Sequence, residues 1–113
     1  MKTKSKEDKK EKSLIEQWKE EHGKIYKSIV GGYEFIFRRI KRAEYANIMA
    51  QKEGDDVDER IYNRQKAIVK LAVLDHEEKE LDDLFEELAG LAISISEEIL
   101  DKSGFTVVAT VEL

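Results

Sequence analysis

This sequence of 113 residues contains no cysteine and no proline. Without cysteine there is no disulfide, no thiolate metal site and no cysteine nucleophile. Without proline, no helix is interrupted by a missing amide donor, which suits helices joined by short connections. No apolar run approaches the roughly 18 residues of a membrane span. The charged N-terminus lacks the apolar stretch and small-residue cleavage site of a signal peptide. These absences lead to the expectation of a cytoplasmic protein without membrane contact. Histidine is scarce too: His22 and His76 are the only two, both in polar, helix-terminal settings with no evident partner. Hydrolytic catalysis needs a nucleophile, a base and a group that orients the base, and none is marked here. No carboxylate stands in the kind of apolar context that raises a catalytic pKa. "DDVDER" offers Asp56 and Asp58 without the glycine and terminal glutamate of a calcium loop. No glycine-rich phosphate loop with a lysine occurs. The expectation is a non-enzyme with no metal and no cofactor.

What is present is charge and enough apolar content for one core. Hydrophobic residues make up 41% and charged residues 40%, with a net charge of -5. The charge is unevenly placed. Lys24, Lys27, Arg38, Arg39, Lys41 and Arg42 fall within residues 24–42, where Glu34 is the sole carboxylate. Residues 75–87 are rich in carboxylates, with Lys79 their single cation. Such polarity orients an encounter with a charged partner, or pairs within the chain, or simply forms two solvated faces.

Periodicity predicts a mainly helical domain with one β-hairpin, an α+β fold. Residues 1–12 have no apolar side chain after Met1 and read as a disordered basic arm. A single domain then covers 13–105. Ser13 and Glu16 have capping-box spacing and open a short helix, with Trp18 as its anchor and Gly23 as its stop. Residues 25–30 and 33–38 flank Gly31-Gly32, a two-residue hairpin turn. That register sets Val30 opposite Tyr33, Ser28 opposite Phe35 and Tyr26 opposite Phe37, all on one core-facing surface. A lone hairpin is unstable, so about four helices must pack on it. The first, near 41–52, turns Tyr45, Ile48 and Met49 to one side. A second opens at Asp56, with Glu59 in capping-box spacing, and runs to Leu74 with Val57, Ile61, Ile68, Leu71 and Ala72 inward. A third, near 79–89, carries Leu81, Leu84, Phe85 and Leu88 and is broken or bent at Gly90. The fourth, 91–102, buries Ala92, Ile95, Ile99 and Leu100. Gly104 is its left-handed cap and Phe105 the apolar residue folding back. Residues 106–113, "TVVATVEL", are β-prone and read as an edge strand or a tail.

"GYEFIF" has some likeness to the aromatic strand that stacks bases in RNA-recognition modules, with Arg38 and Arg39 beside it. Glu34 occupies the place of a small residue, further strands are missing, and the acidic total opposes phosphate binding. No nucleic-acid partner is expected. Docking of a protein remains, with Arg38, Arg39, Lys41 and Arg42 as the expected contact residues.

The run "WKEEHGKIYKSIVGGYEFIFRRIKRAEYANI" resembles the start of small tail assembly chaperones of long-tailed bacteriophages, and of related baseplate-hub assembly proteins. The matching features are Trp18, Gly23, Phe37-Arg38 and Arg42-Ala43-Glu44-Tyr45. "ELAGLAISISEEILDKSGF" continues the likeness with its Ala89-Gly90 bend and Ser103-Gly104-Phe105 ending. Such sequences often carry a proline where Arg39 stands and a threonine helix cap where Lys41 stands, so this helix is expected to start without a side-chain cap. The resemblance implies a non-catalytic morphogenesis protein in the cytoplasm of the infected bacterium, with the tape-measure and tail-tube proteins as partners. The competing reading is a structural tail or baseplate subunit retained in the virion. Whether it forms a homo-oligomer is open.

Overall fold

The computed structural model describes residues 6–52, 54–105 and 110–113, with residues 6–12 described by backbone alone. In chain order the elements are α1 (Lys6–His22), β1 (Ile25–Val30), β2 (Tyr33–Arg38), α2 (Arg42–Ala50), α3 (Val57–Ala72), α4 (Glu78–Glu87) and α5 (Leu91–Lys102). The fold is a small α+β domain, mostly helical, with one antiparallel hairpin.

The hairpin has the expected register: Val30 pairs with Tyr33, Ser28 with Phe35 and Tyr26 with Phe37. Gly31 and Gly32 both adopt positive φ, +58° and +84°, which side-chain-bearing residues avoid in a two-residue turn. One face of the hairpin builds the core. Phe35 and Phe37 are fully buried, and the Tyr26 ring stacks on Phe37 at 5.6 Å. Tyr33, at the turn, is more open than expected and reaches Glu87 with its hydroxyl at 3.1 Å. The opposite face is mixed as its sequence suggests, with Ile36 buried but Ile29 65% exposed. Ile15 and Lys19 of α1 close over Ile25 and Ile36 there, and Trp18 is half-buried.

β2 has a second neighbour that the periodicity does not reveal. Phe37 bridges to Val73 just past α3. The Leu74 amide donates to the Ile36 carbonyl at 2.8 Å, and the Ile36 amide donates to Asp75 Oδ1 at 3.0 Å. His76 Nε2 lies 2.8 Å from the Glu34 carbonyl, to which it donates, while its ring packs on Phe35 at 4.8 Å. Residues 73–76 thus satisfy the outer edge of β2, and for this reason α3 stops at Ala72 rather than Leu74.

α3 and α5 form the main helical layer under the hairpin. Ile68, Val69 and Ala72 face Leu91, Ala92, Ile95 and Ile99 in one apolar cluster, which Leu81, Leu84 and Phe85 of α4 extend. Ser96 is buried with them, its hydroxyl donating to the Ile93 carbonyl at 3.1 Å. α5 ends as anticipated: Gly104 has φ +95°, and the Gly104 and Phe105 amides return to Asp101 and Leu100. This double bond pattern closes a helix with a left-handed residue. Phe105 then folds onto the Tyr45 ring at 4.5 Å.

Several expectations need correction. α1 begins at Lys6, not Ser13, so the arm reading fails over 6–12, and 1–5 lie outside the described residues. Lysine and glutamate favour helix, and a turn nucleated at Leu14–Trp18 propagates at low cost into such a segment. Val57, Ile61 and Leu71 are not inward: they are 65%, 45% and 36% exposed, whereas Val69 is fully buried. The apolar stripe of α3 simply outruns its cover. Of the C-terminal segment, 106–109 lie outside the described residues and 110–113 form no strand. Gly90 marks the break between α4 and α5, but its φ is -91° and its surroundings are open, so glycine is not required there.

The two glycine positions should therefore respond unequally to alanine. At Gly31 a methyl group would meet Leu88 Cδ1 at 2.9 Å and would force an L-residue to φ +58°, so Gly31→Ala should cost about 1–2 kcal/mol. Gly90→Ala should change stability by no more than about 0.5 kcal/mol. Urea denaturation of both variants checks this, and equal losses would refute the turn assignment.

Candidate docking surface

The strand-to-helix junction is where the basic residues gather. Arg38, the last residue of β2, grips Glu44 in the first turn of α2 through two parallel bonds: Nη1 to Oε1 at 2.9 Å and Nη2 to Oε2 at 2.7 Å. Nη1 also donates to the Arg39 carbonyl at 2.9 Å. Glu44 Oε1 accepts the Lys41 amide at 2.9 Å, which is the return half of a capping box. The forward half is absent because a lysine side chain has no acceptor, as the missing threonine implied. One carboxylate thus fixes both the arginine and the helix start. The Arg38 bond, aided by the Lys41 amide and against some burial, holds the Glu44 carboxyl down at about 2. Beside it the Ile40 amide donates to Ser103 Oγ at 2.9 Å, and that hydroxyl donates to the Ile99 carbonyl at 2.6 Å. This ties the junction to the end of α5.

Arg38 is therefore a structural strut, which corrects its expected place among contact residues. Its side chain is only 14% exposed. Arg39, Lys41 and Arg42 are exposed, and no ion pair engages their side chains among the described residues. The acidic helix does not neutralise this corner. Its Asp82 and Glu78 take Lys70 instead, at 2.7 and 3.4 Å, and Asp82 foremost raises the Lys70 pKa. His76 is committed to the sheet edge. Among the described residues, no group of three His, Asp or Glu side chains is placed to hold a metal ion, and no helix is long and apolar enough to cross a membrane.

Next to the junction lies an open groove between α2, α3 and α5, about 190 Å³ in volume. Tyr45 and Met49 form its α2 wall, Ile61 and Ile68 its α3 wall, and Leu100 closes it from α5. Arg64 sits in the groove and donates through Nη2 to the Met49 carbonyl at 3.1 Å. A cation at the C-terminal end of α2 complements that helix dipole and keeps the wall in place. Arg42 stands one turn ahead of Tyr45 on the same side of α2. The groove thus runs along Tyr45 and Met49 to the half-exposed Ile61, and the uncovered Val57 stands one turn beyond Ile61 on α3. Spacing had marked these two aliphatics as core. A stripe longer than the helix covering it was the available signal that they would be left open.

The chain matches no family model, and no curated protein matches it significantly. Among solved structures, the fold of an uncharacterised protein from Bacillus stearothermophilus is similar, with a TM-score of 0.66 at 17% identity. The match covers 87% of this chain and 99% of that one. At this identity the likeness concerns the fold alone.

The Arg38–Glu44 pair should leave an acid signature. Because the folded Glu44 value lies below its ordinary 4.5, the stabilisation is fully present above about pH 4.5 and is lost as pH falls towards 2. Glu44→Gln should remove that part of the acid-unfolding profile and lower stability at neutral pH. Unfolding followed by circular dichroism from pH 7 to pH 2 tests it, and a variant profile parallel to wild type would refute it.

Proposed function

We propose that this protein is a non-catalytic assembly chaperone that receives an amphipathic helix of a partner in the groove between α2, α3 and α5. The observation that carries this reading is the α3 stripe: Val57 and Ile61 continue the core stripe of Ile68 and Ala72 but are 65% and 45% exposed. A helix with apolar residues at spacings of three and four fits such a groove. Long helical proteins expose stripes of that kind and aggregate unless covered. The resemblance of the sequence to phage tail assembly chaperones supplies the partner, a tape-measure protein, and tail-tube subunits as a second client. The setting would be the cytoplasm of the infected bacterium. Arg39, Lys41 and Arg42 steer acidic flanks of the client towards the groove entrance, as clustered exposed charge does.

The test is co-expression with the tape-measure protein of the same phage, followed by pull-down and a solubility assay. The client should be soluble only in complex, and Ile61→Asp should abolish capture while the protein stays folded. Reversing Arg39, Lys41 and Arg42 to glutamate should slow association about tenfold and flatten its salt dependence, with little change in dissociation. Equal solubility of the client without this chain, and no complex, would overturn the reading. Stoichiometric presence in purified virions would favour a structural subunit instead.

A further inference from the structure

The two edges of the hairpin are treated unequally. Across the hairpin, Ile29 pairs with Glu34 and Lys27 with Ile36. On β2, the outward groups of Glu34 and Ile36 are closed by His76, Leu74 and Asp75. Residues in non-hydrogen-bonded pairs point their backbone groups away from the partner strand. The same alternation therefore turns the amide and carbonyl groups of Lys27 and Ile29 outward on β1. Among the described residues, no hydrogen bond reaches them. Exposed edges are normally blunted by a charge, a bulge, a proline or a cover. At this end β1 has a sparse defence, Lys27, which is already paired with Glu34 at 3.7 Å. Ile29 beside it is 65% exposed.

Alongside this edge runs a groove of about 470 Å³ between β1 and α5, lined by Ser28, Ile29, Val30, Ser94, Glu97 and Glu98. Glu97 and Glu98 are exposed and have no ion-pair partner among the described residues. We propose that the open edge of β1 at Lys27–Val30 receives an extended segment of a partner protein whose side chains alternate between cationic and aliphatic. Backbone pairing with Lys27 and Ile29 supplies the register. Because successive side chains of a strand point to opposite faces, one set falls over α5 and the other beside Ile29. The α5 side offers two carboxylates and a serine, which select lysine or arginine. The outer side offers Ile29, which selects valine or isoleucine. A second copy of β1 fits poorly, since its symmetric pairing brings two sets of Glu97 and Glu98 together. This site borders the groove between α2, α3 and α5 at Glu97, which lines both, but its strand edge and Glu98 belong to it alone, and it does not depend on that groove's occupant.

The experiment uses the full chain and a short synthetic peptide alternating lysine and valine, with a glutamate-valine peptide as control. Binding is read by fluorescence anisotropy and the site by amide hydrogen exchange. The lysine peptide should bind and slow exchange of the Lys27 and Ile29 amides, and the glutamate peptide should not bind. Glu98→Lys, an exposed change that leaves the strand intact, should weaken binding about tenfold. Ile29→Pro removes one outward donor and should abolish protection, provided circular dichroism shows the fold retained; if it does not, Glu98→Lys decides. Ile61→Asp should leave this binding unchanged, which separates it from the helix groove. No binding, binding without protection of these amides, or indifference to Glu98→Lys overturns the proposal. Concentration-dependent protection of the same amides in the protein alone also overturns it, in favour of self-association.

Discussion

A two-stranded hairpin in water lacks the burial and pairing to stand alone, and each of its edges exposes unpaired backbone groups. In this protein the edge of β2 is closed from the far side of the chain by Leu74, Asp75 and His76. The arrangement is demanding, because Asp75 is drawn out of water and burial pushes its carboxyl up from the ordinary value. The Ile36 amide and the neighbouring His76 oppose that shift, and an unpaired amide there would be costly as well. Everything downstream follows from the closure. It stops α3 at Ala72, turns the chain into α4, and sets Phe35 between His76 and the helices. The position of α3 in turn decides how much of its apolar stripe α5 can cover.

The second fixed point is the pair of Arg38 and Glu44. A bidentate bond between groups that are 14% and 26% exposed is better protected from salt and water than a surface pair. It welds the end of β2 to the start of α2, while Ser103 binds the same junction to α5. The walls of the helix groove are consequently anchored at one end by Arg38 and at the other by Arg64. A groove built on such a frame is preorganised, and preorganisation lowers the entropic cost of any binding there. The dense positive charge at this turn therefore has two parts. One arginine is structural, and Arg39, Lys41 and Arg42 remain for the surface.

Local chemistry was legible in the sequence, and non-local closure was not. Alternation plus two glycines gave every pair of the hairpin, because strand period and turn length together leave a single register. Asp56 caps α3 by accepting the Glu59 amide at 2.8 Å, although Glu59 in return accepts from the Asp55 amide rather than from that of Asp56. The Ser103-Gly104-Phe105 ending was equally readable. What could not be read depended on which element lies beside which. Val57 and Ile61 have the spacing of core residues, and only the limited reach of α5 leaves them outside. Arg38 looked like surface charge because its partner, Glu44, was read as part of a helix start rather than as a counter-ion. His76 looked like a surface histidine because its acceptor is a carbonyl in the hairpin, far away in sequence.

The size of the open stripe sets what kind of binder this can be. Fully burying a valine or isoleucine is worth about 1.5–3 kcal/mol, so the exposed fractions of Val57 and Ile61, 65% and 45%, offer about 2–3 kcal/mol together. Ordering two molecules into one complex costs roughly 4–15 kcal/mol. The apolar stripe of the client must make up most of the difference, and a single contact stays weak and short-lived. Weakness suits the proposed chaperone role. A long helical client presents many successive stripes, and many copies spread along it protect the whole length while each copy exchanges quickly. In the proposed role, steering by Arg39, Lys41 and Arg42 would raise the encounter rate without deepening the well. Displacement by a subunit that buries more of the client then needs no energy source, since each small contact yields separately to a larger one.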